Sequence, residues 1–272
     1  MLSLALSSWS LHRHLPYYGT GSWSPEPDGE VIPIQTFPAL AQSYGIAALE
    51  ICQSHLATDD PPYIAMIAEA VRAAGCRVIN VPIDAAGLAQ GEPADLDTLR
   101  RWINVAATLG STAVRINSGH VGALPEAVAL DNVVRGYREL AAYCADRQLL
   151  LLLENHWGLS AAPAAIMAIY EAVGAPNFRL CPDFGNFAPE VRLDGLRRML
   201  PHAAIVHAKV LDVGPDGEHP AFDLGACFAL LRESGYEGPL SIEFEGKGDQ
   251  RHGIADAKKL IKQYVGDQLA PS

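Results

Sequence analysis

The sequence predicts an α/β fold, a (β/α)8 barrel forming one domain over residues 1–272. Three observations lead there. Short apolar runs recur eight times along the chain, and each is followed by an Ala- and Leu-rich segment with helical periodicity. Helical segments end at Gly45, Gly75, Gly110 and Gly235, where the residue after a helix often takes a left-handed conformation. Strands that alternate strictly with helices favour a parallel sheet, and eight such units close into a barrel. An open, doubly wound sheet is the competing arrangement, but no G-x-G-x-x-G follows the first apolar run.

The expected strands lie near Leu2–Ser7, Ile46–Ile51, Arg77–Pro82, Ala113–Asn117, Leu149–Glu154, Phe178–Asp183, Ala204–Lys209 and Leu240–Phe244. The expected helices lie near Ile34–Tyr44, Pro61–Ala74, Asp95–Leu109, Leu130–Arg147, Ala162–Val173, Leu193–Met199, Phe222–Ser234 and Asp256–Tyr264. No Pro-, Gly- or Ser-rich linker divides them. The long first connection, His12 to Pro33, carries Tyr17, Tyr18 and Trp23 and reads as an ordered loop over the barrel mouth.

Composition narrows the function. With 49% hydrophobic and 19% charged residues and a mean hydropathy of +0.10, the chain can bury a large core. Its net charge of -11 disfavours a nucleic-acid surface, which needs clustered Lys and Arg. Five scattered cysteines form no C-x-x-C pair, so neither a disulfide framework nor a thiolate zinc site is expected. The apolar start, Met1–Trp9, lacks a basic leader, and no apolar run reaches the length of a membrane span. A soluble, cytoplasmic protein is expected.

In such a barrel, function gathers at the carboxyl ends of the strands. Each of the last four expected strands runs from an apolar stretch into a polar residue: Glu154, Asp183, His207 and Glu243. A carboxylate buried after such a run is costly unless it is paired or binds a cation. Singly, Glu154 could cap a helix or pair with an arginine, Asp183 could be a turn residue, and His207 a core histidine. Together, three carboxylates and an imidazole from neighbouring strands form a donor set for one divalent ion, be it manganese, magnesium, cobalt or zinc.

The ordered combination of Leu-Glu-Asn-His, Asp-Phe-Gly-Asn, Val-His-Ala-Lys and Ile-Glu-Phe-Glu resembles the xylose isomerase-like TIM barrel superfamily. Within it, the sugar phosphate isomerase/epimerase group is the most similar, with its ketose 3-epimerases, inosose dehydratases and endonuclease IV branch. The resemblance spans essentially the whole chain. It implies that Glu154, Asp183, His207 and Glu243 match the single-metal ligands of the epimerases. Asn186 matches a position where ketose 3-epimerases carry a substrate-contacting histidine, so the resemblance does not carry over their particular substrate.

Glu245 rivals Glu243, because a period of two puts both on one strand face. Lys209 follows His207 at the same spacing and either reaches substrate or snorkels to the rim. Other substrate candidates are His156, Arg115, Asn117 and Glu50, with Trp9 and Trp157 as an apolar wall. Glu50 could instead hold an outer-shell cation. The segment Gly246-Lys247-Gly248 with Arg251 and His252 is either a solvated loop or a phosphate grip. Asp183-Phe184-Gly185 has no kinase companions.

The expected chemistry is proton transfer beside a carbonyl through a metal-stabilised enediolate, giving an isomerase or epimerase of a sugar, keto-sugar or polyol. Glu154 and Glu243 would be both ligands and proton carriers. A dehydratase of a keto-polyol, of inosose or dehydroshikimate type, is the alternative. An endonuclease IV-like hydrolase is disfavoured, because Asn80 and Asn117 stand where its extra histidines would be needed. The expected partner is a small carbohydrate or polyol, with no nucleic acid and no membrane, and a homo-oligomer is possible.

Overall fold

The structure, a computed structural model, describes residues 1–19, 24–214 and 217–269. Eight strands alternate with eight helices: β1 Ser3–Ser7, α1 Phe37–Ser43, β2 Ala48–Glu50, α2 Pro61–Ala73, β3 Arg77–Ile83, α3 Pro93–Thr108, β4 Ala113–Ile116, α4 Glu126–Ala145, β5 Leu150–Glu154, α5 Pro163–Val173, β6 Phe178–Cys181, α6 Arg192–Met199, β7 Val206–Val210, α7 Leu224–Glu233, β8 Pro239–Phe244 and α8 Gln250–Val265. Every strand pair is parallel, in the order β6-β5-β4-β3-β2-β1-β8-β7. Parallel bridges Leu180↔Ala203 and Asp183↔His207 join β6 to the start of β7 and close the ring. Asp183 and His207 therefore sit on the seam.

Side chains alternate between two packing environments. Leu6, Leu49, Val114, Leu151, Leu153, Leu180, Val206, Ile242 and their neighbours point outward and join the helices in the main core. Inside the barrel, Ala5, Ala48, Ile79, Ala113, Leu152, Cys181 and Ile205 form a separate apolar plug. Two residues farther along six of those strands, the same inward face presents Ser7, Glu50, Arg115, Glu154, Asp183 and His207, all buried. This polar layer thus stands directly above an apolar floor. On β3 the register shifts by one residue between Leu49 and Glu50 of its partner, so Asn80 rather than residue 81 faces the interior and meets Glu50.

Helix boundaries follow local signals. Pro61, Pro93 and Pro163 occupy first helical positions, where the missing N–H is no loss. Asp223 and Asp249 cap α7 and α8 by accepting the backbone N–H of Ala226 and His252. That second cap starts α8 six residues before the expected Asp256, so Arg251 and His252 lie in its first turn rather than in a loop. Helix α1 is shorter than expected because Ile34–Thr36 winds as a 3-10 turn. Gly45, Gly75, Gly110 and Gly235 all adopt left-handed φ, between 66° and 70°. In the first connection, Tyr17 reaches the mouth as expected, whereas Trp23 lies outside the described residues. No helix among the described residues is long and apolar enough to cross a membrane.

Candidate metal centre

Glu154 ends β5, Asp183 follows β6, His207 is the second residue of β7 and Glu243 the fifth of β8. One donor atom from each lies within 4.8 Å of all the others, and all four residues are buried. His207 Nδ1 is 2.9 Å from Glu154 Oε1, 3.8 Å from Asp183 Oδ2 and 3.9 Å from Glu243 Oε2. This nitrogen faces the three carboxylates. The other, Nε2, donates to Glu50 Oε2 at 3.1 Å, and Asn80 Nδ2 donates to the same oxygen. A carboxylate behind a histidine fixes the ring's rotation and tautomer.

Asp183 is divided in a similar way. Its Oδ1 accepts the backbone N–H groups of Gly185 (2.7 Å) and Asn186 (3.0 Å), and Asn155 clamps its backbone on both sides. Its Oδ2 points into the cluster, buried and without a hydrogen-bond partner. A buried carboxylate oxygen left in that state is costly unless a cation completes it. The donor set, three carboxylates and one imidazole, suits a divalent ion.

Two permanent cations flank the cluster. Arg115 sets Nε 3.0 Å from Glu154 Oε2 and Nη1 2.5 Å from Asp84 Oδ1. Lys209 Nζ lies 3.1 Å from Glu243, 3.0 Å from Glu245 and 3.5 Å from Asp183. Burial would raise Glu154 and Glu243, but Arg115 and His207 for the first, and Lys209 and His207 for the second, hold both below the usual carboxylate range. Burial pushes Asp183 well above that range, and Glu243 and Glu154 add to it against the pull of Lys209. Burial alone would lower His207, yet Cys181 and the surrounding carboxylates keep its proton well above the ordinary histidine range.

Over this cluster opens a cavity of 270 Å³ lined by Glu154, Glu243 and Lys209, among others. Asp183 and His207 are not part of its lining. A wall of Trp9, Tyr17, His120 and Trp157 surrounds the mouth, with His120 stacked on Trp157 at 4.1 Å.

The model of the xylose isomerase-like TIM barrel family matches residues 38–264. The chain belongs to this family. A human protein named as a putative hydroxypyruvate isomerase is 26% identical, with 79% of this chain and 85% of that protein covered. Among solved structures, D-allulose 3-epimerase from Methylomonas sp. in complex with D-allulose superposes with a TM-score of 0.72 at 18% identity, covering 97% of both chains. A Mycobacterium smegmatis xylose isomerase-like TIM barrel protein in complex with magnesium gives 0.72 at 17% identity, covering 98% of both. At these identities the two structures establish the shared fold.

Within this family fold, the residues singled out from sequence fall into distinct places. Arg115, His156, Lys209 and Trp9 line the cavity with the two glutamates. Asn186 lies at the edge of the cluster, where its Nδ2 donates to Glu154 Oε1 at 3.2 Å. Glu50 is fully buried behind His207 and does not line the cavity. Glu243 joins the four-residue cluster, whereas Glu245 is engaged by Trp9 Nε1 at 2.7 Å and by Lys209. Asn117 donates to Asp84 and lies 3.2 Å from His156 Nδ1. Asp84 was not legible as a site residue. It follows β3 as Asp183 follows β6, but the bulge hides the inward register of that strand.

Proposed function

We propose that the chain is a divalent-metal-dependent isomerase or epimerase acting on a small keto-sugar or polyol. One observation carries the reading: of the four clustered residues, Glu154 and Glu243 also line the substrate-sized cavity, while Asp183 and His207 lie beneath it. Glu154, Asp183, His207 and Glu243 would hold the ion, whose role is to polarise a ketone and its neighbouring hydroxyl as negative charge builds on them.

The proton work falls to the two glutamates. They come from β5 and β8, three strands apart in the ring, and reach a bound carbon from different sides. Arg115 orients Glu154 and keeps it ionised, so it is ready to accept a proton; Lys209 does the same for Glu243. Removal on one face and return on the other inverts a carbon, whereas one carboxylate acting alone moves the carbonyl to the next carbon. The cavity falls just below the usual range of ligand pockets, about 300–1,000 Å³, which suits a single small sugar. Relatives named as a D-allulose 3-epimerase and a putative hydroxypyruvate isomerase support the same class.

The test is incubation with a panel of ketoses and polyols in deuterated water, with manganese or magnesium supplied. Exchange of a carbon-bound hydrogen, abolished by chelation, is expected. Glu154→Gln should lower the rate by about 10²–10⁴-fold while the far-ultraviolet circular dichroism shows the barrel still folded. Net loss of water from the ketose would instead assign a dehydratase.

A further inference from the structure

The charges around the cavity restrict what can enter it. Asp84, Glu154, Glu243 and Glu245 line it, and Asp183 lies directly beneath. Against these five carboxylates the lining offers two permanent cations, Arg115 and Lys209. Both are already engaged. Arg115 divides its guanidinium between Glu154 and Asp84, and Lys209 has three carboxylates within 3.5 Å. A divalent ion in the centre would still leave the set one charge negative.

The loop after β8, where many barrels grip phosphate, is occupied by the chain's own carboxylates. The backbone N–H of Lys247 donates to Asp212 Oδ1 and that of His252 to Asp249 Oδ1, each at 2.8 Å. Gly246 and Gly248 turn their carbonyl oxygens toward Arg13. Two of the backbone donors a phosphate could use there are therefore already taken. Lys247, Arg251 and His252 do not line the cavity.

We propose that this site selects an uncharged polyhydroxy ketone and rejects its phosphorylated or carboxylated counterpart, with Asp84 accepting a substrate hydroxyl at the outer end. Asp84 is placed for that role. Its side chain is 36% exposed, against 28% for Glu245, 8% for Glu243 and 3% for Glu154. Arg115 and Asn117 fix its Oδ1 from the wall side. In taking a ketone as the ligand, the inference rests on the isomerase or epimerase reading, and it runs against the anionic substrate in the name of the human relative.

Titration calorimetry on the magnesium-loaded protein tests it with two matched pairs: D-fructose against fructose 6-phosphate, and dihydroxyacetone against hydroxypyruvate. The neutral member of each pair should bind at least about tenfold more tightly, with the gap narrowing as salt screens the wall. Asp84→Asn should weaken neutral binding about tenfold and narrow the same gap, both read at saturating magnesium. An anion that binds as tightly as its neutral partner in either pair overturns the proposal, and so does failure of both neutral compounds to bind. Deuterium exchange is read separately on the same mixtures. A neutral preference without exchange retires the proposed reaction and leaves the charge selection standing.

Discussion

Replacing Glu50 by Gln probes the centre without touching the face it turns to substrate. Glu50 accepts from His207 Nε2 at 3.1 Å, is wholly buried, and stands on the far side of the imidazole from the other three carboxylates. Gln keeps the shape but removes the negative charge that strengthens this bond and makes Nδ1 a better donor to a metal. Loss of such an outer partner weakens metal binding about 10–100-fold, or roughly 1.4–2.7 kcal/mol. The assay is calorimetric titration of chelator-stripped protein with manganese, beside thermal melts with and without the ion. Because the ion binds only the folded chain, its stabilisation should shrink by about the same free energy. Metal-free Glu50→Gln should itself melt below the parent, since the buried pair between His207 Nε2 and Glu50 Oε2 loses its negative member. An unchanged manganese affinity in a folded variant would refute the idea that Glu50 acts through His207.

Three further outcomes follow from the same geometry. Lys209→Met removes the cation shared by Asp183, Glu243 and Glu245. The metal-free protein should lose about 3–5 kcal/mol in denaturant unfolding, and saturating metal should restore part of it. Metal affinity should rise with pH, because His207 and Asp183 both hold protons well above their ordinary ranges and must release them to bind; titrations across about pH 5–8 check the sign, and a flat profile counts against both as ligands. Gly158→Ala places a Cβ against the Gly119 carbonyl oxygen at a φ of +69°. It should cost about 1–3 kcal/mol by chemical denaturation and weaken sugar binding through the neighbouring Trp157.

The barrel was legible because both faces of its strands are buried. Outward residues pack on helices and inward ones fill the floor, so β5 reads as an unbroken run of leucines that stops abruptly at Glu154. The stop itself marks the polar layer, and four such stops were visible as Glu154, Asp183, His207 and Glu243. Glu50 was visible as a strand-end carboxylate, but its partner was not, since His207 is 157 residues away and meets it only because the ring closes. Asp84 was hidden for a local reason. The extra residue in β3 breaks the period of two on which the inward register depends.

That bulge links the two halves of the site. It turns Asn80 toward Glu50, steadying the support behind His207. Beyond it, β3 resumes with Val81 and Ile83 facing outward, and Asp84 follows at the rim beside Arg115. Arg115 then connects rim to centre, holding Asp84 with Nη1 and Glu154 with Nε. The carboxylate proposed to recognise a hydroxyl and the one proposed to move a proton share a single guanidinium. A change at Asp84 therefore reaches Glu154 through Arg115, whereas a change at Glu245 acts through Lys209 on Glu243. Each proposed proton carrier is thus tied to a second carboxylate by its own buried cation, Glu154 to Asp84 by Arg115 and Glu243 to Glu245 by Lys209.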